Sequence, residues 1–191
     1  SGTLSWSNAS GASNITALSD ALVEDNSIYL GNDPSGTTST AQKNIAVGTT
    51  ALDAVTEGDR NVAIGYDALT ALTTGSNNIA IGENSLLALT EGSSNVSIGR
   101  SNMYSVTSGN YNVAIGTTTA SQITTGSHNT AIGYNALKSV TTNSSNVAIG
   151  SNAASSATGS QNTVVGGGAA TNLTSGSNNT FFGYDAGDIT T

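Results

Sequence analysis

A five-residue element of alternating large and small apolar residues recurs along the chain. In Asn61–Gly65 (NVAIG) the second and fourth residues are β-branched and the third is alanine, which is typical of a short strand. Successive elements start 17 residues apart, except for one step of 16. The elements are Ser27–Gly31, Asn44–Gly48, Asn61–Gly65, Asn78–Gly82, Asn95–Gly99, Asn112–Gly116, Asn129–Gly133, Asn146–Gly150, Asn162–Gly166 and Asn179–Gly183.

The period predicts the architecture. Seventeen residues are too few for a helical-pair repeat and fall among the periods of β-solenoids. We therefore predict an all-β fold, a parallel β-solenoid or β-roll of about ten 17-residue coils over residues 27–191, with units starting near residues 27, 44, 61, 78, 95, 112, 129, 146, 162 and 179. Coils stacked at about 4.8 Å would make a rod about 45–50 Å long.

Residues 1–26 do not follow the repeat. Their weak helical pattern in Asn14–Glu24 (NITALSDALVE) predicts an N-terminal cap or a junction segment. Solenoids need such a cap because an open end would otherwise expose the core.

The two faces of the predicted strand differ in side-chain size. We expect the large residues, such as Val62 and Ile64, to form core ladders, because burial of each is worth roughly 1.5–3 kcal/mol. Ala63 and its equivalents would then face outward. Small apolar residues on an outer face indicate close packing against a neighbouring chain, so we expect a homo-oligomer, with a three-fold bundle as the leading form.

The remaining positions predict turns and polar ladders. The Gly that closes each pentad indicates a positive φ or a close backbone approach. A second Gly near the end of each coil is replaced once by Asn143, which favours a left-handed turn there. The Asn that opens each pentad predicts side-chain hydrogen bonds from coil to coil. The middle of the unit, with Ala68, Leu69 and Leu72, fits a second strand or a single helical turn, and we favour the strand.

Composition excludes several classes of function. Cysteine is absent, so there are no disulfides, thiolate metal sites or cysteine nucleophiles. The formal net charge is −8 and the basic residues are Lys43, Arg60, Arg100 and Lys138 alone, which argues against a nucleic-acid partner. No apolar run reaches 18 residues and no leader-like segment is present, so we expect no membrane insertion.

Residues that could carry catalysis are scattered. The one imidazole, His128, occupies the last position of its unit and fits a solvated turn. Asp67 and Asp185 both follow Gly-Tyr, but Glu83, Asn135 and Thr117 stand nearby in the corresponding stretch of other units, so no carboxylate pair repeats. We expect no catalytic, cofactor or metal site and no enzymatic activity.

A recurring Thr raises one alternative function, an ice-binding solenoid with a row of water-ordering hydroxyls. The row lies beside the second Gly of each unit, at a turn, and lacks the outward Thr-x-Thr pairs of a flat ice-binding face. Its members are Thr56, Thr73, Thr90, Thr107, Thr124, Thr141, Thr158 and Thr174.

Two known groups of proteins resemble this repeat. The N-[VI]-A-[IV]-G-x-x-A element resembles the head repeats of YadA-like trimeric autotransporter adhesins, which implies a left-handed parallel β-roll assembled as a trimer. That family has shorter units; here the extra residues fall in Leu69–Gly75. The longer unit and the lead-in Glu24–Gly36 (EDNSIYLGNDPSG) are more similar to tail-fibre or other virion structural proteins of marine myoviruses that infect cyanobacteria.

These resemblances imply a structural fibre shaft of an extracellular appendage, foremost a phage tail fibre or other virion fibre that contributes to host attachment. A bacterial surface adhesin of the trimeric autotransporter type is the alternative, placed on the cell surface. The expected partners are further copies of the chain, other virion or fibre proteins, and host cell-surface glycans.

Overall fold

The structure is a computed structural model that describes residues 21–24, 26–31 and 38–188. Within these residues, eleven strands form one sheet in chain order. The strands are β1 (Ala21–Glu24), β2 (Ser27–Leu30), β3 (Ile45–Val47), β4 (Val62–Ile64), β5 (Ile79–Ile81), β6 (Val96–Ile98), β7 (Val113–Ile115), β8 (Thr130–Ile132), β9 (Val147–Ile149), β10 (Thr163–Val165) and β11 (Thr180–Phe182). Strand β1 pairs with β2 antiparallel.

Strands β2 to β11 are parallel and in register. Val62 pairs with Ile79, and Ile64 pairs with Ile81 in the next coil. The chain is therefore a parallel β-solenoid of about nine turns with roughly 17 residues per turn, which confirms the predicted fold class. The predicted left hand and the trimer stay predictions.

The single short coil, residues 146–161, keeps this register. It lacks one residue between Thr158 and Gly159, where other coils have two residues before the Gly. The backbone N–H of Asn162 still donates to the Asn146 side chain over 3.0 Å, as the equivalent groups do in the 17-residue coils. The missing residue is therefore absorbed at a corner and leaves the strand column intact.

The helical pattern of Asn14–Glu24 does not predict the structure of the four residues of this segment that the structure describes. Ala21–Glu24 form strand β1, not a helix. The remainder of that segment, residues 14–20, lies outside the described residues, and the cap or junction role of residues 1–26 stays a prediction.

The assignment of the two strand faces is wrong. Ala63 is fully buried, whereas Ile64 is 38% exposed. The third pentad residue thus points into the coil, where Ala63 belongs to one buried cluster with Leu69 and Leu72. A 17-residue coil has a narrow interior; the two leucines fill it and leave room for little more than a methyl group opposite them.

In the last two coils, side-chain volume moves from the position of Leu69 to the third pentad position. Towards the C-terminal end the third position grows from alanine to Val164 and then Phe181, which packs against the core. In the same coils the position of Leu69 is taken by Ala170 and Gly187. A Cβ built on Gly187 would overlap the ring of Phe181. The ring therefore occupies space that a leucine fills elsewhere.

The middle of each coil is neither a strand nor a helix but a run of turns. Asp67 and Leu69 have left-handed backbones, with φ of 54° and 53°. Leu69 donates its N–H to Ser85 O in the next coil over 3.1 Å, and Leu72 donates to Leu69 O over 3.1 Å. These bonds and the burial of both leucines offset a left-handed cost of roughly 1–2 kcal/mol per residue. The favoured second strand is wrong.

The second Gly lies at a close approach between coils and not in a left-handed turn, although Ala41 and Asn143 take its position in two coils. Neither Gly75 nor Asn143 has a positive φ. A Cβ on Gly75 would instead overlap the carbonyl oxygen of Gly92 in the next coil. The left-handed residue at this corner is the last one of the coil, with φ between 56° and 62°. These residues are Lys43, Arg60, Asn77, Ser94, Tyr111, His128, Ser145, Gln161 and Asn178.

This corner provides a stabilising substitution. Ser145 is exposed and has a φ of 62°, a conformation that Asn adopts more readily than Ser. We expect Ser145→Asn to raise the free energy of unfolding by about 0.5 kcal/mol, because part of the left-handed cost is relieved. Urea unfolding followed by circular dichroism measures this. Ser156→Asn, at an exposed site without a positive φ, is the control; an equal gain there would refute the conformational explanation.

Candidate functional site: the outer face of the sheet

The outer face of the sheet is an apolar stripe along the rod. The second and fourth pentad residues point outward, and several of them are 37–43% exposed. These are Ile28, Ile45, Val47, Ile64, Ile98, Ile115 and Ile149, and Phe182 at the C-terminal end of the stripe is 82% exposed. Ten strands at about 4.8 Å spacing give this stripe a length of about 45 Å and, with a width of about 10 Å, a footprint of roughly 450 Å². The largest apolar patch on an ordinary monomer covers roughly 300–600 Å² and is often functional, so this stripe is the candidate interaction surface.

Stacked asparagines line the interior beside each strand. Asn78 donates its backbone N–H to Asn61 Oδ1 over 2.9 Å, and Asn95 does the same to Asn78 Oδ1 over 3.0 Å. The Asn78 amide also donates to Gly92 O over 2.9 Å. All three side chains are fully buried. The predicted coil-to-coil asparagine ladder is confirmed, and it fixes the start of every strand.

A second polar column, at the next-to-last coil position, was missed by the sequence reasoning. Ser76 donates its backbone N–H to Ser93 Oγ over 3.0 Å, and Ser93 donates to Asn110 Oδ1 over 2.8 Å. The signal was a small side chain with an acceptor oxygen at this position in each of the eight units from residue 44 to residue 178. The column comprises Asp59, Ser76, Ser93, Asn110, Ser127, Ser144, Ser160 and Ser177.

The threonine row binds coil to coil. Thr73 Oγ1 donates to Thr90 O over 3.0 Å, and Thr90 Oγ1 donates to Thr107 O over 3.1 Å. The hydroxyl protons are therefore directed along the rod to the neighbouring carbonyl and are not presented to water. This geometry gives the row a structural role and argues against an ice-binding face.

A cluster of polar side chains inside the middle coils offers no free group for catalysis or ligand binding. Ser85 Oγ donates to Ser97 Oγ over 2.7 Å, and Asn102 donates to Ile98 O over 2.8 Å. Thr119 donates its hydroxyl to Gly133 O over 2.7 Å. The side chains of Ser85, Ser97, Asn102 and Thr119 are buried, and each is hydrogen-bonded to protein groups.

The residues weighed as catalytic candidates lie apart. His128 is exposed and stacks on Tyr111, with ring centroids 5.0 Å apart. Asp67 accepts a hydrogen bond from Thr50 in the preceding coil, and Asp185 lies seven coils further along the rod. Among the described residues, no three His, Asp or Glu side chains gather to hold a metal ion. In the same residues no helix has the length and apolarity to cross a membrane.

Together these features define a parallel β-solenoid with polar columns inside its coils and an apolar stripe outside. Comparison with protein-family models, with curated proteins and with solved structures found no match. The geometry of the rod and the residues that resemble known repeats are therefore the observations that bear on function.

Proposed function

We propose that the chain is the structural shaft of an extracellular fibre, foremost a phage tail fibre or another virion fibre that contributes to host attachment. The proposal depends on one observation, the largely apolar stripe along a rod whose Asn and Thr columns are hydrogen-bonded from coil to coil. A rod with paired polar groups and one unpaired apolar face gains stability by joining others of its kind.

Further copies of the chain are the occupants that this stripe fits. In a three-fold bundle each chain has two neighbours, so the column of Val62 and Ile79 faces one neighbour and that of Ile64 and Ile81 the other. Identical coil heights place like residues opposite each other. We therefore propose a homotrimer.

A fibre shaft also suits the mechanics of the rod. In a solenoid each coil contacts only its neighbours, so length grows by adding coils without redesign of the core. Specificity for the host would then lie in particular side chains on the outside of the coils or in other fibre proteins. The proposed partners are other virion or fibre proteins and host cell-surface glycans, and the proposed location is the virion.

A bacterial surface adhesin of the trimeric autotransporter type is the second candidate. It is favoured by the N-[VI]-A-[IV]-G pentads, as in Asn61–Gly65, and it needs the same trimer. Negative-stain imaging of the parent protein distinguishes the two, since one predicts fibres on virions and the other predicts fibres on cells.

Placing negative charges on the apolar stripe should dissociate the proposed trimer into single chains. The wild-type chain is expected at three times its mass of 18.8 kDa in light scattering, and the double variant Ile98→Glu with Ile115→Glu at 18.8 kDa. Two carboxylates in each chain would be buried without partners in the trimer but solvated in the monomer. Both side chains are 37% exposed in the single chain, so the coil itself should tolerate the change.

Tyr104→Glu is the matched control. Tyr104 is 43% exposed but lies in the turn segment, away from the stripe, so this variant should remain trimeric. A wild-type chain that is monomeric at micromolar concentration with a native circular-dichroism spectrum would refute the proposed trimer. Dissociation of the Tyr104 variant would show that charge anywhere on the rod has this effect.

A further inference from the structure

One coil carries a notch in its outer surface. The two residues after each pentad Gly normally bear side chains, but the coil of residues 162–178 has Gly167 and Gly168 there. The result is a shallow depression of about 420 Å³. Its walls are formed by Ser151, Asn152 and Ser155 in the coil before, by Thr171, and by Tyr184 and Asp185 in the coil after.

The fold does not require either glycine. Gly167 has no positive φ, and a Cβ there would make only ordinary contact with the Tyr184 ring at 3.6 Å. Gly168 has a φ of 67°, but the same position in other coils is taken by Thr118 with a φ of 53° and Asn152 with a φ of 56°. Gly167 therefore accepts a side chain without a clash, whereas a Cβ on Gly168 would overlap the carboxylate of the exposed Asp185, which would have to turn away.

The notch leaves a carboxylate without the partner that its equivalents have. Asp67 and Asn135 occupy the position of Asp185 in their coils, and each accepts a hydrogen bond from a threonine hydroxyl one coil earlier. The residue one coil before Asp185 is Gly168, which has no side chain to donate. The Asp185 carboxylate lies against Gly168, inside the notch, and none of the described residues donates a hydrogen bond to its side-chain oxygens.

An aromatic ring stands beside this carboxylate. Tyr184 is 83% exposed and its ring borders the space over Gly167. An apolar ring face next to a carboxylate, an amide and hydroxyls matches the two surfaces of a sugar, whose C–H groups pack on aromatic rings and whose hydroxyls donate to carboxylates.

We propose that this notch binds a single sugar ring of a neutral glycan. Tyr184 supplies the stacking surface, Asp185 accepts hydrogen bonds from sugar hydroxyls, and Asn152 donates from its amide. The unpaired carboxylate repels acidic sugars, which sets the class of ligand. This inference rests on the proposed function in host attachment and adds a class of ligand to it.

Saturation-transfer NMR on the full chain tests the site. Glucose, galactose, mannose and N-acetylglucosamine serve as neutral probes, and sialic acid and glucuronic acid as acidic ones. Transfer to at least one neutral sugar and to neither acidic sugar is expected. The double variant Gly167→Thr with Gly168→Thr, which copies the Thr117–Thr118 pair of another coil, should fold normally and weaken binding roughly tenfold by filling the notch and pairing Asp185.

Single variants locate the contact. Tyr184→Ala should weaken binding roughly fivefold. Tyr66→Ala, in the same Gly-Tyr-Asp sequence but beside a coil with Thr49 and Thr50, should leave binding unchanged. Absence of transfer to every neutral sugar, or undiminished binding in the double variant, would overturn the proposal. The measurement does not depend on the oligomeric state, so the trimer and the glycan site can fail separately.

Discussion

Replacing Asn95 with alanine is expected to lower the free energy of unfolding by about 2–6 kcal/mol, because it leaves two buried backbone groups unpaired at about 1–3 kcal/mol each. The Asn95 amide donates to Gly109 O over 2.8 Å and to Asn78 Oδ1 over 3.1 Å. Its Oδ1 accepts the backbone N–H of Asn112 over 3.0 Å. Alanine removes these three bonds and a fourth, which the Asn112 side-chain amide donates to the same Oδ1 over 3.2 Å, and water cannot replace them because the site is fully buried.

Urea unfolding followed by circular dichroism measures this loss. Gln122→Ala is the control, since Gln122 is exposed and its side chain makes no recorded bond within the described coils; its effect should stay within about 0.5 kcal/mol. If the two variants unfold at the same urea concentration, the asparagine column does not stabilise the stack.

The strand stack and the asparagine ladder were predictable because they depend only on which residue type recurs at each position of the repeat. A residue type that returns at one position of every coil must form a column once the coils stack, whatever the shape of the coil. Asn61 and Asn78 could be placed one above the other from their spacing, and their bonding follows from the amide group.

The inward face of the strand was not predictable from the pentad. Alternation distinguishes two faces but does not say which one is inside, and size suggested the wrong one. The answer lies outside the pentad, because Leu69 and Leu72 enter the coil from the opposite wall and leave room only for Ala63. Ile64 then remains outside, where a second chain would bury it.

The prediction of a second strand in the middle of the coil was wrong for a different reason. Leu is uncommon in a left-handed backbone, so no local preference predicts a φ of 53° at Leu69. Its burial and its bond to the next coil override the preference, and both arise only after stacking. The sequence showed only part of the proposed glycan site, since Asp67 and Asp185 share a Gly-Tyr-Asp sequence. What distinguishes them is Thr50 or Gly168 one coil earlier.

These outcomes suggest a division of roles among the columns. The strand contributes mostly small side chains to the interior because Leu69 and Leu72 fill the narrow coil, so the hydrophobic burial gained by the strand within one chain is limited. The asparagine and serine columns compensate by pairing the strand ends from coil to coil. The largest β-branched residues lie on the outer stripe, where association of chains would add the missing burial. The homotrimer is thus proposed as a source of stability as well as of shape.

The second large effect on the free energy of unfolding is expected where a glycine lies between two closely stacked coils. Gly82 has a φ of 131°, and a Cβ there would lie 2.6 Å from the carbonyl oxygen of Gly99 in the next coil. Gly82→Ala must therefore both strain its own backbone and push the two coils apart, which weakens the 2.7 Å bond from Gly99 N to Ile81 O. We expect a loss of about 4 kcal/mol or more in the free energy of unfolding, measured by urea titration.

Gly167→Ala separates this effect from the general cost of replacing a glycine. Its backbone has no positive φ, and its new methyl group would meet only the Tyr184 ring at 3.6 Å, so the change should stay within about 0.5 kcal/mol. In a linear stack a break at Gly82 should also expose the chain locally, and limited proteolysis of the Gly82 variant should cut near residues 82–99. Equal stability of the two variants, with no new cleavage, would mean that the coils are not held at strand spacing at this corner.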